Sequence, residues 1–236
     1  MVSAKMFIIR NATIDDFKKL KDYSKTVDSI PQFEVELMDT VEDFQDNGNE
    51  ISFNFQSDFK SEKEVRGKTI PHVFSYRAKI WCLFEDDKGY LLIFGSNDAA
   101  KYISGKLQKI IRELKGSSDV IIEKLKLDTT TLLRIVQEDF IKINNSWWKK
   151  IGEDLRSAFL SGRLKVKESD SESDENEIYK EIEEIAEEIT SVTFLSDDLK
   201  HDIVISRKQA SIGSNRKEVT EQDIIRYFKR HIKRHL

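Results

Sequence analysis

Phe33-Glu34-Val35-Glu36-Leu37 and, a turn later, Ile51-Ser52-Phe53-Asn54-Phe55-Gln56 are the stretches whose reading decides the fold. In both, apolar and polar residues alternate. Successive side chains of a strand point to opposite faces, so a period of two describes antiparallel strands with one face buried and one wet. Between them Asn47-Gly48 suits the positive backbone angles of a tight reversal, which makes the two runs a hairpin.

Working outward, the polar stretch from Asp58 to Lys68 reads as a loop, and Pro71 is best tolerated at the start of the strand that then runs from about Val73 to Phe84. Its companion, Tyr90 to Phe94, follows Asp86-Asp87-Lys88-Gly89, a turn signal with glycine placed for a left-handed residue. These four strands form a meander. Upstream lie a short strand, Met6 to Arg10, and a helix that Thr13 caps with Asp16 three residues on. Downstream, Asn97 reads as the N-cap of a helix carrying Ala100, Ile103, Leu107, Ile110, Ile111 and Leu114 on one stripe and ending near Gly116. A sixth strand is expected within Asp119 to Leu127, then helices over Thr129 to Phe140 and Trp147 to Leu160, with Asn144-Asn145-Ser146 as the break between them. Strands first, helices mostly after, without βαβ alternation, predict an α+β fold: an antiparallel sheet, a meander of about four strands plus one or two more, with helices packed on one face.

Composition changes at Lys167. Glu168 to Glu177 contains no apolar residue, cannot add to a core, and reads as an acidic flexible linker or loop whose serines suit an acid-directed kinase. Beyond it come a helical stripe of Ile178, Ile182, Ile185 and Ile189, two strands near Ser191 to Leu195 and Asp202 to Ser206, and a last helix from Thr220 with Asp223 three residues on. The expected organisation is a sandwich domain over 1–166, a linker over 167–177, and a small α-β-β-α region over 178–236 docked on the first domain.

The 236 residues are 39% apolar and 35% charged, yet 10% are aromatic, including 14 phenylalanines, which disordered chains lack. Lys and Arg number 39 against 43 Asp and Glu, so the formal charge of −4 excludes a cationic surface over the whole chain. The lone Cys82 closes no intramolecular disulfide, and no apolar run approaches a membrane span. An intracellular, cytoplasmic protein in a reducing compartment is expected, with no membrane span and an undetermined oligomeric state.

Candidate chemistry is sparse. The last helix carries Arg226, Lys229, Arg230, Lys233 and Arg234 without an acid among them, and Trp148-Lys149-Lys150 joins an aromatic ring to two cations; both suit an anionic ligand such as nucleic acid. The competing readings are a basic helix end satisfying its macrodipole, or pairing with the glutamates between Glu181 and Glu188. Trp147, in a run with Ile151, Leu155 and Phe159 at intervals of four, reads as a core residue of its helix. His231 and His235 stand one turn apart but lack a third ligand; His72 and His201 have no serine–acid or cysteine neighbour. Asp86-Asp87-Lys88 has a spacing found in metal-dependent nucleases but reads as a turn, and Cys82 shares the apolar strand parity of Ile80 and Phe84 and is expected to be buried. No glycine loop cradles a phosphate. No catalytic, cofactor or metal residue is therefore assigned. The expectation is a non-catalytic interaction or adaptor protein, a subunit of a larger assembly with a protein partner. The alternative is a nucleic-acid-binding or -processing protein, including a divergent metal-dependent nuclease.

Overall fold

The computed structural model describes residues 2–31, 34–85, 88–151, 159–164 and 188–236. The fold is α+β, dominated by antiparallel strands, and the chain divides into two compact units, Ala4–Leu125 and Met1–Ser3 with Lys126–Leu236. No helix among the described residues is long and apolar enough to cross a membrane.

In the first unit β1 (Val2–Arg10), α1 (Ile14–Lys18), β2 (Ser24–Ile30), β3 (Val35–Asp46), β4 (Glu50–Val65), β5 (Lys68–Glu85), β6 (Lys88–Phe94), α2 (Asn97–Lys115) and β7 (Ile121–Lys124) follow in order. The sheet order is β2-β3-β4-β5-β6-β1, with β7 paired to β1. The β3–β4 hairpin turns at Gly48, whose φ of 82° is the positive angle expected there. One face of the sheet meets α1 and α2 in a core that includes Phe17, Phe53, Phe55, Ile80, Cys82, Ile103 and Leu107. Cys82 is buried there, and burial pushes its thiol far above the ordinary range, so it is not a nucleophile at neutral pH.

Several expectations are corrected. The residues Asp58 to Lys68 are strand, not loop: β4 runs to Val65, Arg66 and Gly67 turn the chain with φ of 53° and 71°, and β5 starts at Lys68, with Pro71 inside it opposite Glu62. This ribbon meets water on both sides, so no hydrophobic alternation marked it. β2 escaped for the same reason, since only Ile30 in it is buried. Helix α2 is capped by Ser96, whose Oγ accepts the Ala99 amide at 3.2 Å, one residue before Asn97. Gly89 is not a turn residue but part of β6, where a Cβ would lie 2.8 Å from Ile9 Cβ and 2.9 Å from Phe84 Cε1. The glycine is required for space, not for its dihedral. Asp86 and Asp87 lie outside the described residues.

The second unit contains α3 (Thr129–Asp139), β8 (Phe140–Ile151), β9 (Phe159–Leu164), β10 (Glu188–Ser196), β11 (Asp202–Ser206), β12 (Ser211–Ser214) and α4 (Glu221–Tyr227). Its strands order as β9-β8-β10-β11-β12, and Val2 and Ser3, which belong to this unit, lie against Gly213 of β12. A π-type turn, Phe228–Ile232, and a 3-10 turn, Lys233–His235, continue α4 to the end of the chain. The expected helix from Trp147 is overturned: β8 pairs with β10, Trp148 opposite Ile189, and with β9. A spacing of four residues is even, so it fits a strand's alternation as well as a helix's turn; that ambiguity misled the reading. The break at Asn144-Asn145-Ser146 lies inside the same strand. Ile189 is likewise in β10, while 167–177 and Ile178, Ile182 and Ile185 lie outside the described residues.

The box predicted at Thr220 is present. Its Oγ1 accepts the Asp223 amide at 3.3 Å and its amide donates to Asp223 Oδ2 at 2.9 Å. The Thr220 amide, then its hydroxyl, hold the Asp223 carboxyl below the ordinary value against a smaller burial cost. A depressed carboxylate stabilises fully above its unfolded pKa, near about 3.9, and the contribution disappears as pH falls through the folded value. Asp223→Ala is expected to cost about 1 kcal/mol at pH 7, and urea unfolding of variant and wild type should converge as pH drops from 4 toward 2.

Candidate functional site

Two places gather side chains beyond what packing alone explains. The first grows from β4 and β5. β3 leaves the β4 ladder after Asp39↔Ser57, and β6 leaves β5 at Lys79↔Phe94, but β4 and β5 stay paired to Val65↔Lys68. At about 3.3 Å per residue, Asp58 to Val65 extends as a two-stranded arm about 26 Å long.

At the base of the arm is a buried polar layer. The alternation Leu37, Asp39, Val41 puts an acid in a core position; Asp39 is 2% exposed, and its carboxylate accepts Ser57 Oγ at 2.5 Å and Lys106 Nζ at 2.9 Å. Tyr102 Oη lies 3.5 Å from Ser57 Oγ, and from Tyr102 an aromatic ladder climbs the arm. Ring centroids are 5.0 Å apart for Tyr102 and Phe59, 5.2 Å for Phe59 and Tyr76, 5.5 Å for Phe59 and Phe74, and 6.3 Å for Phe74 and His72. The core thus continues past the helix that covers it. Phe74 ends 48% exposed and Ile70, four residues farther out, 40%. The Asp58 carboxylate ties the arm to β3. It accepts Ser75 Oγ at 2.5 Å and the Met38 amide at 3.2 Å, and against the burial that raises it these bonds hold its pKa low.

The second place is the end of α3. Asp139, 4% exposed, accepts Ser196 Oγ at 2.5 Å and the Asp198 amide at 2.8 Å, while Ser196 Oγ accepts the Leu199 amide at 3.0 Å. Asp198 in turn accepts Arg230 at 2.9 Å and faces His231 Nε2 at 3.1 Å. Tyr227 stacks on His231 with centroids 4.5 Å apart, its phenol pushed far up by burial and then by the charge of Asp139. The serine bonds a carboxylate and an amide, not the histidine, so these groups form no nucleophile–base pair; they hold the β10–β11 reversal and the last helix to the end of α3.

Comparison of the chain with protein-family models, with curated proteins and with solved structures finds no match.

The last helix is basic but salted with acids. Arg226 pairs with Asp223 at 2.6 Å, Arg230 with Asp198, and Arg234, together with His235, with Glu138. Lys229 and Lys233 are half-buried. The partners are acids of α4 itself, of α3 and of the β10–β11 turn; of the glutamates offered as the acidic counterpart, Glu188 stands in β10 and those from Glu181 to Glu187 lie outside the described residues. His231 and His235 meet different carboxylates, and among the described residues no group of three or more His, Cys, Asp or Glu is arranged to hold a metal ion. In β8, Trp148 and Lys149 stand opposite Ile189 and Glu188 of β10 and Lys150 opposite Leu160 of β9; their side chains lie outside the described residues. The candidate anionic contacts are therefore spread over a strand and a helix, not gathered on two helices. The sequence reading missed the arm altogether, though Asp39 interrupting an apolar parity was a legible sign of the polar layer at its base.

Proposed function

We propose that this chain is a non-catalytic binding protein, an adaptor or assembly subunit, that engages a protein partner through the β4–β5 arm. One observation carries the reading: Ile70 and Phe74 are held 40% and 48% exposed on a ribbon to whose edges, among the described residues, no further strand is paired over its outer half. A two-stranded hairpin alone is marginal in water, and an apolar ladder on it gains its stabilisation from a covering surface. The nucleic-acid alternative draws less support, because Arg226, Arg230 and Arg234 are already matched by acids.

The test compares wild type with Ile70→Ser/Phe74→Ser in affinity purification from the source cell, followed by reconstitution with the purified partner. A protein retained by wild type, lost at least tenfold by the variant and rebound in purified form is the expected result. Equal recovery by both, or submicromolar binding of a short duplex at physiological salt, would overturn the proposal.

A further inference from the structure

We infer that the outer face of β10, β11 and β12 binds a small uncharged ligand rich in hydroxyls, with the size and chemistry of a single sugar or cyclitol ring. This site lies wholly within the unit of Met1–Ser3 and Lys126–Leu236 and is independent of the arm. Strand register builds it. Ser191 is paired with Ser206 and Ser206 with Ser211, so three serines stand in a row across three neighbouring strands and share a face. The adjoining row, Val192, Ile205 and Ile212, is buried and points the other way into the core. Farther along the serines' own parity Val204 is paired with Gly213, where a Cβ would stand 2.5 Å from the Val2 carbonyl oxygen. Hydroxyl and hydrocarbon thus lie side by side in a cleft of about 280 Å³, walled in part by Val2 and Ser3. An outer-face serine is ordinarily solvated, but Ser211 is only 7% exposed, and among the described residues its hydroxyl makes no hydrogen bond. Its buried neighbours are satisfied: Ser214 donates to the Asp202 carbonyl at 2.6 Å and Ser196 to Asp139. A nearly buried hydroxyl facing a cleft without a partner is completed by a ligand oxygen.

The lining sets the class of ligand. Its polar side chains are hydroxyls and amides, which both donate and accept, and among the described residues it includes no charged group. Taking a charged ligand out of water requires an opposite charge, so the ligand is neutral. Arg207 and Arg216 follow lining residues in the chain but do not line the cleft, and Arg216 pairs with Asp202 at 2.9 Å. An aliphatic ligand would leave the Ser211 hydroxyl unpaired. Neighbouring strands are about 4.8 Å apart, which spreads the three serines over about 10 Å. Alternate hydroxyls of a six-membered ring repeat on a similar spacing, and the C–H face of the ring suits Val204. A cleft at the lower limit of ligand pockets, about 300 Å³, has room for one such ring.

The probes are methyl α-glucopyranoside and myo-inositol, with inorganic phosphate and butanol as counterparts, each titrated into the ¹⁵N-labelled full chain and followed by amide shifts. At least one ring is expected to bind with millimolar affinity and to move the amides of Ser191, Ser206, Ser211 and Gly213. Ser211→Ala should weaken that binding about fivefold without lowering the thermal midpoint, since the hydroxyl it removes bonds nothing in the free protein. Ser206→Leu, which fills the middle of the row, should abolish the shifts; should that variant fail to fold, the Ser211→Ala titration decides alone. No shift with either ring, larger shifts with phosphate or butanol, or unchanged binding by Ser211→Ala would overturn the assignment. Ile70→Ser/Phe74→Ser should bind the rings as wild type does, so failure here and failure of the arm as a binding surface are read separately.

Discussion

Asp139→Ala is expected to destabilise the Lys126–Leu236 unit by about 3 kcal/mol, the cost of two lost hydrogen bonds to a charged, buried acceptor. Truncation leaves the hydroxyl of Ser196, which is 0% exposed, and the amide of Asp198 without the carboxylate that receives both. The β10–β11 reversal then loses its tie to α3, and Asp198 no longer presents a fixed partner to Arg230 and His231. Native-state hydrogen exchange is the measurement, because it reports one unit without requiring the whole chain to unfold together. Amides of 196–199 should exchange about a hundredfold faster in the variant. Asp139→Asn, which keeps an acceptor oxygen, should lose about 1 kcal/mol. Asp197→Ala serves as control: among the described residues its carboxylate pairs with exposed Lys200, and its removal should change exchange within about 0.5 kcal/mol. Equal effects of Asp139→Ala and Asp197→Ala would contradict the assignment.

Lys106→Met carries the second large effect, about 3 kcal/mol against the Ala4–Leu125 unit. Asp39 is 2% exposed, and without the ammonium it retains only the Ser57 hydroxyl, too little to solvate a carboxylate. The lysine side chain is 24% exposed, so the reverse change, Asp39→Ala, leaves a cation that can turn toward water and costs less. The double variant Asp39→Ala/Lys106→Met removes both charges and should recover at least half of the loss, a coupling that unfolding in urea followed by circular dichroism resolves. Because this layer underlies Tyr102 and the ladder, the single variant should also weaken binding by the arm, whereas the double should restore it.

How far the residues announced this structure depends on whether each element has one buried side. β4 near Phe53 and the stripe of α2 each meet solvent on one face and core on the other, and their periodicities name them correctly; of the alternating run that opens β3, Leu37 is buried, Val35 is exposed and Phe33 lies outside the described residues. The capping boxes at Thr13 and Thr220 were legible because a local hydrogen-bond exchange needs specific residues three apart. The outer arm has no core to alternate against, so its polar sequence looks like a loop, and the feature bearing the functional proposal is the one that hydrophobic pattern cannot see. β8 failed for the opposite reason: Trp147 and Ile151 satisfy two periods at once, and only pairing with β10 decides between them. The Asp139 cluster joins residues 57 positions apart with no local motif, and nothing short of the fold brings them together.

The close approach of Gly213 to the Val2 carbonyl, where a Cβ would stand 2.5 Å away, has a bearing on biosynthesis. The second residue of the chain must wait for the two hundred and thirteenth. At about 5–20 residues per second the ribosome leaves that contact open for roughly 10–40 s, long enough for Ala4–Leu125 to close as it emerges.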